Sequence, residues 1–180
     1  MNILTFDIET TIYKINPKER IGTPFSKKNK CVSLALKWFG KVVETFDTLP
    51  GRGVFPVEYL QECIDQADIV VGHNIKYDMH WTAREGICFD NVKQIWCTQL
   101  AEFILTSQRS SYASLNETLL KYGLPQKLDV VKTEYWDKFI DTDEIPIEIL
   151  LEYNRYDVEG TEEVFKRQYE QLTGKQIQTI

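Results

Sequence analysis

Apolar residues recur along the chain with two different periods, and the changes between them mark out the elements. Ile3-Leu4-Thr5-Phe6 is close to continuously apolar, as a buried strand requires. Val32 to Phe39 and Val42 to Phe46 flank Gly40-Lys41 and predict a hairpin of two strands, which with the first strand makes a three-stranded antiparallel start. Pro56 to Gln66 predicts a helix opened by proline, with Val57, Leu60 and Ile64 on one side. Ala67 to Gly72 predicts a short buried strand. His73-Asn74-Ile75-Lys76-Tyr77-Asp78 then turns into a helix ending near Gly86, with Asn74 placed to cap it. Trp96-Cys97 to Leu105 predicts a strand running into a helix, and Ser114-Leu115-Asn116-Glu117 has the spacing of a capping box. A long last helix is predicted from near Pro146 to about Leu172, with Ile147, Leu151, Asn154, Val158, Thr161, Phe165 and Leu172 as its inward stripe. Residues 11–31 contain Pro17, Gly22 and Pro24 with little periodicity and read as a long loop, of a length associated with function.

The order of strands and helices predicts an α/β fold with a sheet of about five strands, three antiparallel and the rest parallel, flanked by helices. At 180 residues the chain suits a single domain, residues 1–180. A composition of 43% hydrophobic and 27% charged residues gives no sign of disorder. The net charge of -6 speaks against a nucleic-acid partner only as an average. Residues 11–31 carry Lys14, Lys18, Arg20, Lys27, Lys28 and Lys30 against a lone Glu19, which makes either a solvated surface or a phosphate-contacting loop. Cys31, Cys63, Cys88 and Cys97 form no Cys-x-x-Cys pair, and the N-terminus shows no basic-then-apolar leader, so a reducing, cytoplasmic compartment is expected. No apolar run approaches the roughly 20 residues of a membrane span. His73 and His80 lack zinc-finger spacing, which argues against structural zinc.

The candidate chemistry begins at the end of the first strand, in Phe6-Asp7-Ile8-Glu9-Thr10. Side chains alternate across a strand, so Asp7 and Glu9 share a face about 6–7 Å apart. Two carboxylates beside a core are costly without a cation between them; a divalent ion with oxygen ligands is one reading and a solvated strand exit the other. Asp78 falls about one turn into a helix that follows a strand, where an acid is also a favourable dipole partner. Tyr153 and Asp157, four apart, stack on one face of the last helix at the border of its stripe, or form a surface pair. Ligands of open α/β sheets gather at the carboxyl ends of the strands. Four carboxylates gathered there require cations. Two Mg²⁺ or Mn²⁺ ions roughly 3.5–4 Å apart would serve in-line phosphoryl displacement.

Three motifs occur in order: Asp7-Ile8-Glu9, Asn74-Ile75-Lys76-Tyr77-Asp78 and Tyr153-Asn154-Arg155-Tyr156-Asp157. On these the chain resembles the DEDD (DnaQ-like) superfamily of 3′→5′ exonucleases, and its Tyr-x-x-x-Asp spacing resembles the tyrosine subclass; a histidine subclass needs His where Glu152 stands. The resemblance implies a ribonuclease H-like fold and hydrolysis from the 3′ end of single-stranded DNA, releasing nucleoside 5′-monophosphates. It implies that Asp7 bridges two metals, that Glu9 and Asp157 complete the site that activates water, and that Asp78 holds the second metal largely through waters. Tyr153, with an unperturbed pKa near 10, is a poor base and is implied to orient the water. The backbone near Thr10 and the side chain of Asn74 are implied to steady the terminal nucleotide. The basic loop offers Lys27, Lys28 and Lys30 as phosphate contacts.

Ser114 to Leu120, with Tyr122-Gly123-Leu124 and Trp136, is similar to the segment between the second and third motifs in two subgroups. One is the proofreading domain of family A DNA polymerases, phage versions included; the other is the ribonuclease D-like group, which trims RNA. Gly22-Thr23-Pro24-Phe25 resembles phage polymerase-type exonucleases and favours DNA. An RNA substrate and a non-catalytic binding module are the other readings. With no polymerase segment in the sequence, the expected partners are 3′ ends and a polymerase or replication protein supplied separately. Trp81, Tyr112, Tyr135, Trp136 and Phe139 are candidates for base stacking or for the core.

Overall fold

The computed structural model describes residues 1–16, 19–109, 112–126, 130–172 and 174 of the chain. Its central strand is β1 (Ile3–Thr10). The chain then forms β2 (Tyr13–Asn16), β3 (Glu19–Ile21), β4 (Cys31–Trp38), β5 (Glu44–Asp47), α1 (Val57–Gln66), β6 (Ile69–Gly72), α2 (Lys76–Arg84) and β7 (Gln94–Cys97). It ends with α3 (Thr98–Leu105), α4 (Leu115–Lys121), α5 (Val130–Glu134) and α6 (Ile147–Gln171), with 3-10 turns at Trp136–Lys138 and Thr142–Glu144. The main sheet has five strands in the order β5-β4-β1-β6-β7. β5, β4 and β1 are antiparallel, whereas β1, β6 and β7 are parallel, so the sheet is mixed as the sequence predicts.

Alternation along β1 sorts its residues between two cores. Leu4, Phe6 and Ile8 pack with Leu60, Ile64 and Trp81 from α1 and α2. Ile3 packs on the opposite side with Ile69, Val71, Trp96 and Phe165, beneath α3 and α6. Asp7 and Glu9, odd-numbered like Ile3, are thereby sent to the α6 side. Covering both faces of the sheet is what buries β1, β4 and β6 almost throughout.

Residues 11–31 differ from the expected loop. β2 and β3 pair antiparallel as a small sheet of their own, too short to leave a readable period. Pro17 and Lys18 lie outside the described residues, as do the side chains of Lys14, Glu19 and Arg20. The stretch after β3 folds back on α2, where Arg84 donates to the carbonyls of Ser26 and Asn29 and the Phe25 ring lies 6.5 Å from that of His80.

Asn74 does not cap α2. The helix begins after Ile75 without a side-chain cap, and Asn74 takes a φ of 56° instead, so that the chain can leave β6 and reverse within a few residues. Gly72 makes the same turn possible, because a Cβ there would stand 2.8 Å from Ile75. The inward face of α6 contains the expected stripe but is wider than it. Ile147 and Leu151 are half-buried, while Leu150, Asn154, Asp157, Val158, Thr161, Glu162, Val164, Phe165 and Gln168 are buried. The sheet holds one side of α6, and α3 and α4 hold the next, so the covered arc is wider than one stripe and takes in polar residues. No helix among the described residues is long and apolar enough to cross a membrane.

Candidate active site

β1 runs further than its parallel neighbour. Only Ile3, Leu4 and Thr5 pair with β6, whereas β4 follows β1 as far as Thr10. On the β6 side, the last residues of β1 therefore border the place where the chain turns off into α2. The backbone N–H of Ile8 is satisfied there by a side chain: it donates to Asp78 Oδ1 at 3.2 Å. This opening at the carboxyl end of a parallel strand is the place where ligands of such sheets collect.

Asp7, Glu9 and Asp157 meet at that end. Each offers an oxygen, and these oxygens all lie within 4.8 Å of one another. Asp157 is buried on α6, and Asp7 and Glu9 are half-buried. Asp78 is 3% exposed and stands outside this trio, against the Ile8 N–H. Burial holds its carboxyl well above the usual range, the charge of Asp7 pushes the same way, and the bonds from the N–H groups of Ile8 and Asp78 oppose this in part. Asp157 adds a smaller repulsion. Hard carboxylate oxygens this close, some of them desolvated, form a donor set that suits Mg²⁺ or Mn²⁺ and fits the ions expected from the sequence.

Tyr153 lies one turn before Asp157 on α6, half-buried, with its ring edge-on to Trp136 at 5.6 Å. It also lines a cavity of about 670 Å³ between α4, α5 and α6. Thr10 is buried, and its hydroxyl is hydrogen-bonded to that of Tyr77 at 2.5 Å. Burial is the first cause pushing the Tyr77 hydroxyl up to about 12; the bond to Thr10 lowers it, and the nearby charges of Glu9 and Asp78 raise it. Asn74 is exposed on the turn into α2. The Lys30 carbonyl accepts from the Thr11 N–H and the Lys30 N–H donates to Thr11 Oγ1, while the Lys30 ammonium lies 3.5 Å from Asp143. Lys27 and Lys28 are exposed in the turn that packs on α2. Trp81 is completely buried, which removes it from the stacking candidates; Tyr112 and Phe139 are exposed.

Sequence reasoning gave no role to three residues beside the acids: Ser33, Tyr77 and Asn154. Asn154 carried a legible signal, since an amide in the middle of an inward stripe needs buried partners. Ser33 carried none, because its strand position reads as any small residue.

A mixed five-stranded sheet in this order, with acids brought together from its first strand, the helix after β6 and the last helix, is that of the ribonuclease H-like DEDD exonuclease superfamily. The chain belongs to the 3′-5′ exonuclease family, whose model matches residues 2–172. Exonucleases of this family use divalent metal ions. Among solved structures, the family B DNA polymerase from the hyperthermophilic archaeon Pyrobaculum calidifontis is similar in fold, with a TM-score of 0.56 and 17% identity. The match covers 89% of this chain and 23% of that one. No curated protein matches the chain.

Proposed function

We propose that the protein removes nucleotides one at a time from the 3′ end of single-stranded DNA, releasing nucleoside 5′-monophosphates, as a two-metal exonuclease of the tyrosine subclass. The observation that carries this reading is the convergence of Asp7, Glu9 and Asp157 within 4.8 Å at the carboxyl end of β1. Asp7, Glu9 and Asp157, with Asp78 beside them, would hold two Mg²⁺ or Mn²⁺ ions. Bound there, the ions lower the pKa of an attacking water and polarise the scissile phosphate. The water oxygen joins phosphorus as the 3′-oxygen of the neighbouring nucleotide leaves, which frees the terminal residue as a 5′-monophosphate.

The chain's own groups supply the remaining functions. Tyr153, one turn from Asp157, orients the water through its hydroxyl. Thr10, with Tyr77 behind it, and Asn74 steady the terminal nucleotide, while Lys27, Lys28 and Lys30 meet the phosphates of the following strand. The choice of DNA rests on the Gly22-Thr23-Pro24-Phe25 loop. The proposed setting is proofreading, in the cytoplasm, beside a polymerase or replication protein.

Matched DNA and RNA oligonucleotides, with the 3′ hydroxyl free or blocked, test the reading in Mg²⁺ and in Mn²⁺. Mononucleotides should be released from unblocked DNA, and Asp7→Ala should abolish that release. Faster degradation of the RNA would move the substrate to the ribonuclease D-like alternative. Undiminished release by Asp7→Ala would remove the site altogether.

A further inference from the structure

Asp7 is not oriented by its own strand alone. Asn154, fully buried on α6 three residues before Asp157, donates from Nδ2 to Asp7 Oδ2 at 2.6 Å. The same amide accepts at Oδ1 from the hydroxyl of Ser33, at 3.1 Å. Ser33 is fully buried on β4, paired in register with Glu9. The polarity of this relay is fixed by its ends. An ionised carboxylate can only accept, so it must face the amide nitrogen. The amide oxygen is then left for the Ser33 hydroxyl to donate to. The bond to Asp7 is charge-assisted and short, the kind that restrains a carboxylate most strongly.

We propose that Ser33 and Asn154 are positioning residues that hold the Asp7 carboxylate in its metal-binding orientation and join assembly of the metal site to the docking of α6 on β4. The inference rests on the two-metal reading above. With Oδ2 engaged on one side, rotation about the carboxylate bond is blocked, and the remaining lone pairs are presented toward Glu9 and Asp157. Because Asn154 and Asp157 sit on one helix, the movement that brings in Asp157 also orients Asp7.

The test needs no turnover. Asn154→Leu keeps the side-chain shape and removes the donor, and Ser33→Ala removes the hydroxyl that would otherwise be stranded, so that Asp7, which is half-buried, is the one member of the relay whose bond is lost. Mn²⁺ affinity is read by electron paramagnetic resonance without substrate, and melting temperature is read in EDTA, for the wild type, the double variant, Ser33→Ala alone and Asp7→Asn. The double variant should still unfold cooperatively, somewhat below the wild type, and bind Mn²⁺ about 10–100-fold more weakly, the usual cost of losing a group that orients a metal ligand. Ser33→Ala alone should lose about fivefold, as befits one neutral hydrogen bond, and it decides the question if the double variant does not fold. Wild-type Mn²⁺ affinity in the folded double variant, or in Ser33→Ala in its place, overturns the relay. Wild-type affinity in Asp7→Asn overturns the metal site on which the relay rests, so the two failures are told apart.

Discussion

Asp78 reaches the Ile8 N–H because β6 stops short, and the position that gives it this partner also strips it of water. Its carboxyl is held well above the ordinary 3.8, so the folded chain binds that proton more tightly than the unfolded chain does. The contribution to stability is therefore complete below the unfolded value and is lost as pH rises from there through the folded value. Above the unfolded value the metal-free protein carries a penalty that grows with pH. Asp78→Asn keeps an oxygen for Ile8 and removes the charge. In EDTA it should melt higher than the wild type at neutral pH, and calorimetry across the acid range should show the pH slope between the two carboxyl values flattened. A variant melting no higher than the wild type would mean that Asp78 is not under electrostatic strain. Tyr77 titrates too high to contribute to this slope.

α6 shows what a sequence can and cannot disclose about an element. Its limits and its helical period were readable, because Pro146 opens it and apolar residues recur to Leu172. The width of its buried face was not, since the arc is completed by Asp157, Glu162 and Gln168, whose partners come from strands and helices remote in sequence. Glu162 receives Lys37 from β4 at 3.0 Å and Lys166 from its own next turn at 2.9 Å. Lys37→Met should cost about 1.5–3 kcal/mol in denaturant unfolding, the value of a hydrogen bond to a buried charge. Lys166→Met should cost less, because Lys166 is more exposed and divides its contact between Glu162 and Glu163. Equal losses would mean that α6 is not held to the sheet through Lys37. Shortness hid the β2-β3 hairpin, where strands of four and three residues are too brief to show a period. The turn at Asn74 was hidden by a cap-forming residue type, which disguised it.

For the molecule as a whole, a net charge of -6 opposes a polyanionic substrate, so phosphate contact must be local. Lys27 and Lys28 are exposed on the turn against α2, whereas Lys30 is partly neutralised by Asp143. Replacing Lys27 and Lys28 by alanine should reduce the slope of log K against log salt by about 0.7 per lysine for a single strand, with a smaller change for Lys30→Ala. Fluorescence anisotropy with catalytically dead protein in rising salt measures it, and an unaltered slope would take that turn out of the substrate path. The mixed sheet itself was legible, since two adjacent apolar runs across a tight turn demand antiparallel pairing and a run followed by a helix demands a crossover. What was not legible is how the site is closed. Its acids come from the first strand and the last helix, positions 7 and 157. Translation proceeds at about 5–20 residues per second, so a growing polypeptide spends several seconds or more with its opening acid pair exposed before the closing helix leaves the ribosome. Chain order thus acts as a timer, keeping the centre unfinished until the helix that carries Asp157 has been made.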